Sequence, residues 1–347
     1  MNTQPQSRYS RQILYEHFGP AAQEKLRAAR VTLIGCGALG TVLANTLARA
    51  GVGLLRIVDR DFVELNNLQR QVLFDEQDVR DGTPKAVAAA AALAKINSEI
   101  AIEPVVADAH PGNIEVFADG ANVILDGTDN FETRYLINDT AVKHAIPWVY
   151  GACVSAEGMV MPILPGETPC LRCIFDEPPP AGASPTCDTV GVLAPIVQVV
   201  ASLQAMEAMK ILIGRKDALN RKLLQINVWT GAFTAFDMQP ALDGGECDCC
   251  KERNFIYLKG SATGRTVSLC GRDAVQVRPA SDIRIVLEDV LARVAPAARS
   301  APRLNRYLLR FEVDDYEITL FRGGRAIIKG VSSAEEGKTI YARYIGV

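Results

Sequence analysis

Short apolar runs alternate with helical stretches through the first part of the chain. Val31-Thr-Leu-Ile34, Leu54-Leu-Arg-Ile-Val58 and Val123-Ile-Leu-Asp126 have the length and branched-residue content of buried strands, and Ala101 to Val106 reads as a further one. Between them, Thr41 to Ala50 and the alanine-rich Ala86 to Ile96 read as helices. Residues 8–28 form an N-terminal helical segment carrying Arg8, Arg11, Lys25 and Arg27. Strand, helix and strand in that order make the βαβ unit that a parallel sheet requires. Further on, Pro178 to Pro185 is a loop rich in Pro, Gly and Ala, expected to be mobile. Pro195 to Ile213 then reads as a long helix, with Pro in its first turn and Gly214 just past its end. Leu223 to Val228 is another strand.

The pattern changes after the segment around Asp243-Gly-Gly245. Tyr307, Leu309, Phe311 and Val313 alternate with polar positions, Asp314-Asp315 turns, and Tyr316, Ile318 and Leu320 alternate back. Gly323-Gly324 turns again into Ala326-Ile-Ile328, which predicts a three-stranded meander. Ile283, Leu287, Val290, Leu291 and Val294 form a helical stripe with Ser281 as its cap. The expectation is an α/β domain over 1–250, a doubly wound, mostly parallel sheet, followed by a small α+β domain over 254–347 of unknown function.

Composition narrows the class. The 347 residues are 48% hydrophobic and 22% charged, as in an ordinary globular chain. A net charge of −3 supplies no basic field for nucleic acid or an anionic membrane. The polar N-terminus lacks the apolar core of an export signal, which points to the cytoplasm. The longest apolar run, Val190 to Leu203, contains Pro195 and Gln198 and reads as a buried helix rather than a membrane span. An odd number of cysteines, nine, argues for a reducing compartment and against a disulfide framework.

Two features carry chemistry. Cys170-Leu-Arg-Cys173 and Cys247-Asp-Cys-Cys250 are paired thiols with the spacing of a closed, structural Zn2+ site, in which spacing favours Cys250 over Cys249. Gly35-Cys-Gly-Ala-Leu-Gly40 after a strand is a phosphate loop: Gly35 for the turn, Gly37 for close approach, Gly40 for helix packing. Asp59 at the end of the next strand suits a ribose hydroxyl. Taken alone the loop serves NAD, FAD or S-adenosylmethionine equally. Asn67-Leu-Gln-Arg70-Gln and Lys85 shift the balance, because cations there suit a triphosphate under attack rather than a dehydrogenase. Asp129, after a later strand, could hold Mg2+ on those phosphates.

Arg8-Tyr-Ser-Arg11-Gln, the glycine loop, Asp59, Asn67-Leu-Gln-Arg70-Gln, Lys85 and Thr128-Asp129-Asn130 together resemble the adenylating domain of the ThiF/MoeB/HesA family, kin of the ubiquitin-activating enzymes. Thr186-Cys187, Ser202-Leu-Gln-Ala-Met-Glu-Ala-Met-Lys210 and both cysteine pairs extend the resemblance to about residue 250. It implies a Rossmann-like fold and a sulfur carrier protein adenylyltransferase. Such an enzyme uses ATP and Mg2+ to adenylate the C-terminal glycine carboxylate of a ubiquitin-like sulfur carrier protein. A sulfur donor such as a cysteine desulfurase or a rhodanese is the further partner implied. The resemblance also implies a homodimer, in which Arg11 reaches the phosphates of the neighbouring subunit. Asp59 then holds ribose, Asn67, Arg70 and Lys85 bind phosphates, and Asp129 binds magnesium.

Cys187 follows the Pro/Gly loop and precedes a helix start, where a thiol gains thiolate character. In some branches of the family a cysteine here links covalently to the carrier, and in others it is dispensable. Cys36 and Cys153 read as small packed residues. Cys270 invites comparison with a sulfur-transfer loop, but the tail lacks the α/β alternation of a rhodanese. The rival readings are activation of a conjugation modifier or of a threonylcarbamoyl group on tRNA, an NAD- or flavin-dependent oxidoreductase, and a non-catalytic scaffold. The neutral-to-acidic charge weighs against the tRNA case, Arg70 and Lys85 against the oxidoreductase, and Arg11, Lys85 and Asp129 against the scaffold.

Overall fold

The computed structural model describes residues 8–179, 186–260, 266–269, 274–277, 285–331 and 333–346. The chain divides into two compact units, Met1–Ala262 and Thr263–Val347.

In the first unit the helices are α1 (Ser10–Ile13), α2 (Gly19–Ala28), α3 (Ala38–Ala50), α4 (Glu76–Asp81), α5 (Lys85–Ile96), α6 (Ile114–Ala118), α7 (Phe131–His144), α8 (Leu171–Ile174), α9 (Cys187–Val190), α10 (Ala194–Ile213) and α11 (Gln239–Asp243). The strands are β1 (Arg30–Ile34), β2 (Leu54–Asp59), β3 (Ala101–Val106), β4 (Val123–Asp126), β5 (Trp148–Val154), β6 (Glu157–Ile163), β7 (Lys222–Asn227) and β8 (Ala232–Asp237). They form one sheet in the order β3-β2-β1-β4-β5-β6-β7-β8. The five strands from β3 to β5 are parallel, while β6, β7 and β8 are antiparallel. The expected mostly parallel sheet therefore holds for five of its eight strands. Ser155-Ala156 and Val228 to Gly231 are too short to carry a crossover, so they force hairpins.

Successive strand residues feed opposite faces. Val31, Leu33, Val123, Leu125 and Val149 pack with α2, α3, α5 and α10 on one side. Ile34, Ile124, Trp148 and Tyr150 pack with α6, α7 and the cysteine knuckles on the other. This is the double winding expected of the pattern. Helix α10 is long and apolar enough by composition to cross a membrane, but 61% of its apolar window is buried. Ile196, Val197, Val200, Ala201, Ala205 and Ala208 place it in the core against α3, β5 and β6.

The second unit is an antiparallel sheet of β9 (Thr266–Leu269), β10 (Ala274–Val277), β11 (Arg303–Leu304), β12 (Leu308–Val313), β13 (Tyr316–Phe321) and β14 (Ala326–Lys329), with α12 (Leu287–Val294) and α13 (Ala334–Tyr344). The expected meander is β12-β13-β14, at the centre of the order β11-β12-β13-β14-β10-β9. The amphipathic helix covers Leu287 to Val294 of its stripe, and Ser281, Ile283 and Cys270 lie outside the described residues.

The strand order reverses direction between β1 and β4, which is where doubly wound sheets open a ligand crevice. Three glycines let the loops there touch. A Cβ on Gly35 would stand 2.6 Å from the Gly127 carbonyl oxygen, one on Gly40 2.1 Å from the Gly35 oxygen, and one on Gly127 2.3 Å from the same oxygen. Gly127→Ala is accordingly expected to force β1 and β4 apart at this end and destabilise the chain by about 1–3 kcal/mol. Denaturant unfolding of the two proteins measures it.

Candidate nucleotide site and cysteine clamp

Helix α3 begins immediately after the glycine loop, with Gly37 as its cap. No side chain caps its first turn and no acidic residue sits there, so its leading N–H groups remain available to an anion. A Cβ at Gly37 would meet nothing nearer than the Gln71 amide nitrogen at 3.8 Å, so the loop is open on the side where phosphate would lie. Asp59, at the C-terminal end of β2, is 8% exposed. Its Oδ2 accepts from the Cys36 N–H at 2.6 Å and its Oδ1 from the Asp61 N–H at 2.7 Å. Burial pushes this carboxyl up, and Lys85 and the two N–H donors oppose the shift.

Lys85 reaches the same place by a backbone route. Phe62 pairs with Pro84, Val63 N–H donates to the Thr83 oxygen, and Lys85 N–H donates to the Asp61 oxygen at 2.8 Å. Its ammonium, 9% exposed, lies 3.8 Å from the Asp61 carboxylate. A buried cation beside two carboxylates next to an uncapped helix start fits a polyphosphate with a ribose.

The segment 67–71 folds as a turn against the loop. Asn67 is buried and its side-chain oxygen accepts from the Glu64 N–H at 3.2 Å, so part of the expected phosphate ligand is committed to capping. Its amide also donates to Asn66 Oδ1 at 2.8 Å. Arg70 holds the turn through the Asn66 carbonyl at 2.7 Å. Gln71, the last residue of Asn67-Leu-Gln-Arg70-Gln, joins them although its residue type gives no sign of a role. It is 3% exposed, faces Gly37, and its Oε1 has no hydrogen bond among the described groups.

Asp129 lies exposed after β4, on a loop fixed from below. Asp126, fully buried, accepts from Arg134 Nε at 3.1 Å and from the Thr128 N–H and hydroxyl at 2.9 and 2.7 Å. Arg134 also donates to the Thr128 carbonyl at 2.9 Å, and Gln204 of α10 donates to the Asp126 carbonyl at 2.9 Å. Burial raises the Asp126 carboxyl while Arg134 lowers it. Removing one member of such a buried pair strands the other charge, which costs about 3–5 kcal/mol.

Arg11 does not join this group within one chain. Tyr9 accepts from Asn97, and Gln12 donates to the Ala50 carbonyl at 3.0 Å, so α1 is fastened at the C-terminal end of α3. The glycine loop is at the other end of that thirteen-residue helix, about 20 Å away. Arg11 itself is exposed.

The two cysteine pairs converge on the face opposite α3. Cys170, Cys173, Cys247 and Cys250 place their sulfurs all within 4.8 Å of one another. Cys170 Sγ is 3.7 Å from Cys247 and 3.8 Å from Cys173, and Cys173 is 3.4 Å from Cys250. Four sulfurs at zinc bonding distance have tetrahedral edges of about 3.8 Å, so the set fits Zn2+. Cys249 is held elsewhere: it accepts from Asn138 and donates to Asp139, each at 3.3 Å. The same two residues tie the knuckles together, because Asn138 accepts from the Leu171 N–H at 2.8 Å and Asp139 from the Tyr257 N–H at 2.9 Å. Arg172, between the first two cysteines, donates to the Asn254 carbonyl at 3.0 Å. Adjacent buried polar residues inside the apolar run Tyr135 to Val142 were the signal for this role.

Cys187 is not in an open loop. It is the first residue of α9, whose cap Thr186 accepts from the Thr189 N–H, and its thiol donates to the Cys153 carbonyl at 3.4 Å. Cys36 is fully buried, and burial, with Asp59 adding to it, pushes its thiol up, as suits a packed residue.

The chain is 40% identical to the sulfur carrier protein ThiS adenylyltransferase of Bacillus subtilis over 339 residues, 98% of this chain and 99% of that one. It is also 40% identical to the SAMP-activating enzyme E1 of Haloferax volcanii over 245 residues, 71% of this chain and 88% of that one. Among solved structures, Escherichia coli MccB with ATP matches at a TM-score of 0.59 and 26% identity, covering 71% of this chain and 74% of that one. The ThiF family model matches residues 9–249, and the chain belongs to the ThiF family.

Proposed function

We propose that the chain is an ATP-dependent adenylyltransferase that activates the C-terminal glycine carboxylate of a ubiquitin-like sulfur carrier protein for sulfur transfer. The observation that carries this reading is the convergence of the uncapped start of α3, Asp59 and buried Lys85 at the switch point of the sheet. The full-length similarity to a sulfur carrier protein adenylyltransferase selects the acceptor.

A carboxylate is a poor electrophile, and transferring AMP to it creates a good leaving group. The reaction requires that charge on the phosphates be neutralised as the carboxylate oxygen attacks phosphorus. Lys85 and Arg70 supply fixed positive charge, the α3 N–H groups hold phosphate oxygens, and Asp59 accepts from the ribose hydroxyls. Asp129 would hold Mg2+, which when bound would neutralise phosphate charge further. Arg11 completes the site from a second copy of the chain, since its own loop lies a helix length away. Cys187 is the thiol that carries sulfur to the activated carboxylate.

Asp129→Ala is expected to abolish carrier-dependent ATP–pyrophosphate exchange while leaving the fold intact, and Arg11→Ala to do the same. Mixing the two inactive proteins under conditions of subunit exchange should restore part of the activity, because mixed dimers contain one site with both residues. No recovery would contradict the cross-subunit role.

The four clustered sulfurs hold one structural Zn2+ per chain. Elemental analysis of protein purified without chelator should find equimolar zinc. Cys170→Ser should lose it and unfold at lower temperature, because a closed site contributes folding energy rather than chemistry.

A further inference from the structure

Two cysteines come together at the C-terminal end of β5. Cys153 is the penultimate residue of that strand, and the Cys187 thiol donates to its carbonyl oxygen at 3.4 Å. The backbone holds them there. Val192 pairs with Ser155 in a parallel bridge, Ser155 N–H donates to the Gly191 oxygen at 2.8 Å, and Leu193 N–H donates to the Ser155 oxygen at 2.9 Å. The Cys153 thiol turns toward the first turn of α10, donating to the Ile196 carbonyl at 3.8 Å. A sulfur resting on a neighbour's own carbonyl places the two residues side by side.

The two differ in setting. Cys153 packs against the core under α10, and burial pushes its thiol up, with the nearby Cys187 sulfur adding to the shift. Cys187 heads a short helix beside exposed Thr189 and Val190. Both thiols are half-buried, and a reactive cysteine with a second thiol beside it is the arrangement of an attacked and a resolving cysteine. Both also stand at the end of the sheet that holds Asp126, Thr128 and Asp129, one strand over.

We propose that Cys153 is the resolving thiol of Cys187: a sulfur compound held on Cys187 as a mixed disulfide is expelled by Cys153. In R–S–S–Cys187 + HS–Cys153, the bond between R–S and Cys187 breaks and the Cys153–Cys187 bond forms. The proton lost by Cys153 ends on the departing R–SH, whose sulfur is reduced as Cys153 is oxidised. An external dithiol returns the pair to the reduced state. If the adenylation reading above holds, R–S is the carrier's terminal thiocarboxylate, and the step releases the loaded carrier.

The test uses the full-length zinc protein and oxidised glutathione as the probe disulfide, followed by acid quench, digestion and peptide mass mapping. Wild type should yield a peptide pair joined through Cys153 and Cys187, with little glutathione on Cys187. Cys153→Ser should retain about tenfold more glutathione on Cys187, since nothing expels it. Cys187→Ser should give no joined pair. Equal glutathionylation of Cys187 in wild type and Cys153→Ser, or no modification of either, would overturn the proposal. ATP–pyrophosphate exchange measured on reduced wild type and Cys153→Ser reads adenylation separately. A disulfide without exchange would defeat the adenylation reading and leave the dithiol pair standing.

Discussion

The contact between the loops after β1 and β4 is the constraint from which the site follows. Gly35, Gly40 and Gly127 have no Cβ to hold those backbones apart, so α3 starts close under the end of β1 and the Thr128-Asp129 loop closes over it. Gly35 adopts φ of +89°, which other residues adopt only with strain, and this turns the chain from strand into helix. Asp59 then reaches the loop from the neighbouring strand and bonds the Cys36 N–H. A side chain at any of the three glycines would widen the crevice and separate groups that must act on one nucleotide.

Helix α7 connects this site to the cysteine clamp. Its cap, Asn130, accepts from the Thr133 N–H directly after Asp129, and its second turn carries Arg134, which fixes Asp126 and Thr128. One turn further on, Asn138 and Asp139 bond both knuckles. The clamp therefore holds the helix that in turn holds the Thr128-Asp129 loop. A closed set of four sulfurs has no position for substrate, yet its loss would be felt at the nucleotide through α7.

Much of this was legible in the sequence because it depends on local rules. The apolar runs marked β1 to β4, the glycine spacing marked the loop, and the Cys-x-x-Cys pairs marked the clamp, where the structure brings together the four sulfurs favoured by spacing. What escaped was non-local. Trp148 to Val154 and Glu157 to Ile163 form a hairpin whose two-residue turn lacks the usual Gly or Asn, so the antiparallel half of the sheet left little signal. Helix α7 is buried over most of its circumference although about half of its residues are polar, Arg134, Asn138 and Asp139 among them, so no amphipathic stripe marks it. The turn that the Asn67 oxygen caps, and the buried Gln71 four residues on, depend on contacts that sequence spacing does not show. The contact of Cys187 with Cys153 depends on a bridge at Ser155 that only the folded chain makes.

The central claim is that the chain joins AMP to a carboxylate that sulfur then displaces. It is tested most directly by following an oxygen atom. A carrier labelled with oxygen-18 in its C-terminal carboxylate is incubated with the protein, ATP, magnesium and a sulfur donor, and the nucleotide products are analysed by mass. Attack by carboxylate on phosphorus leaves one labelled oxygen in the released AMP, which is the predicted result. Unlabelled AMP alongside thiocarboxylated carrier, or ADP as the product, would contradict the account.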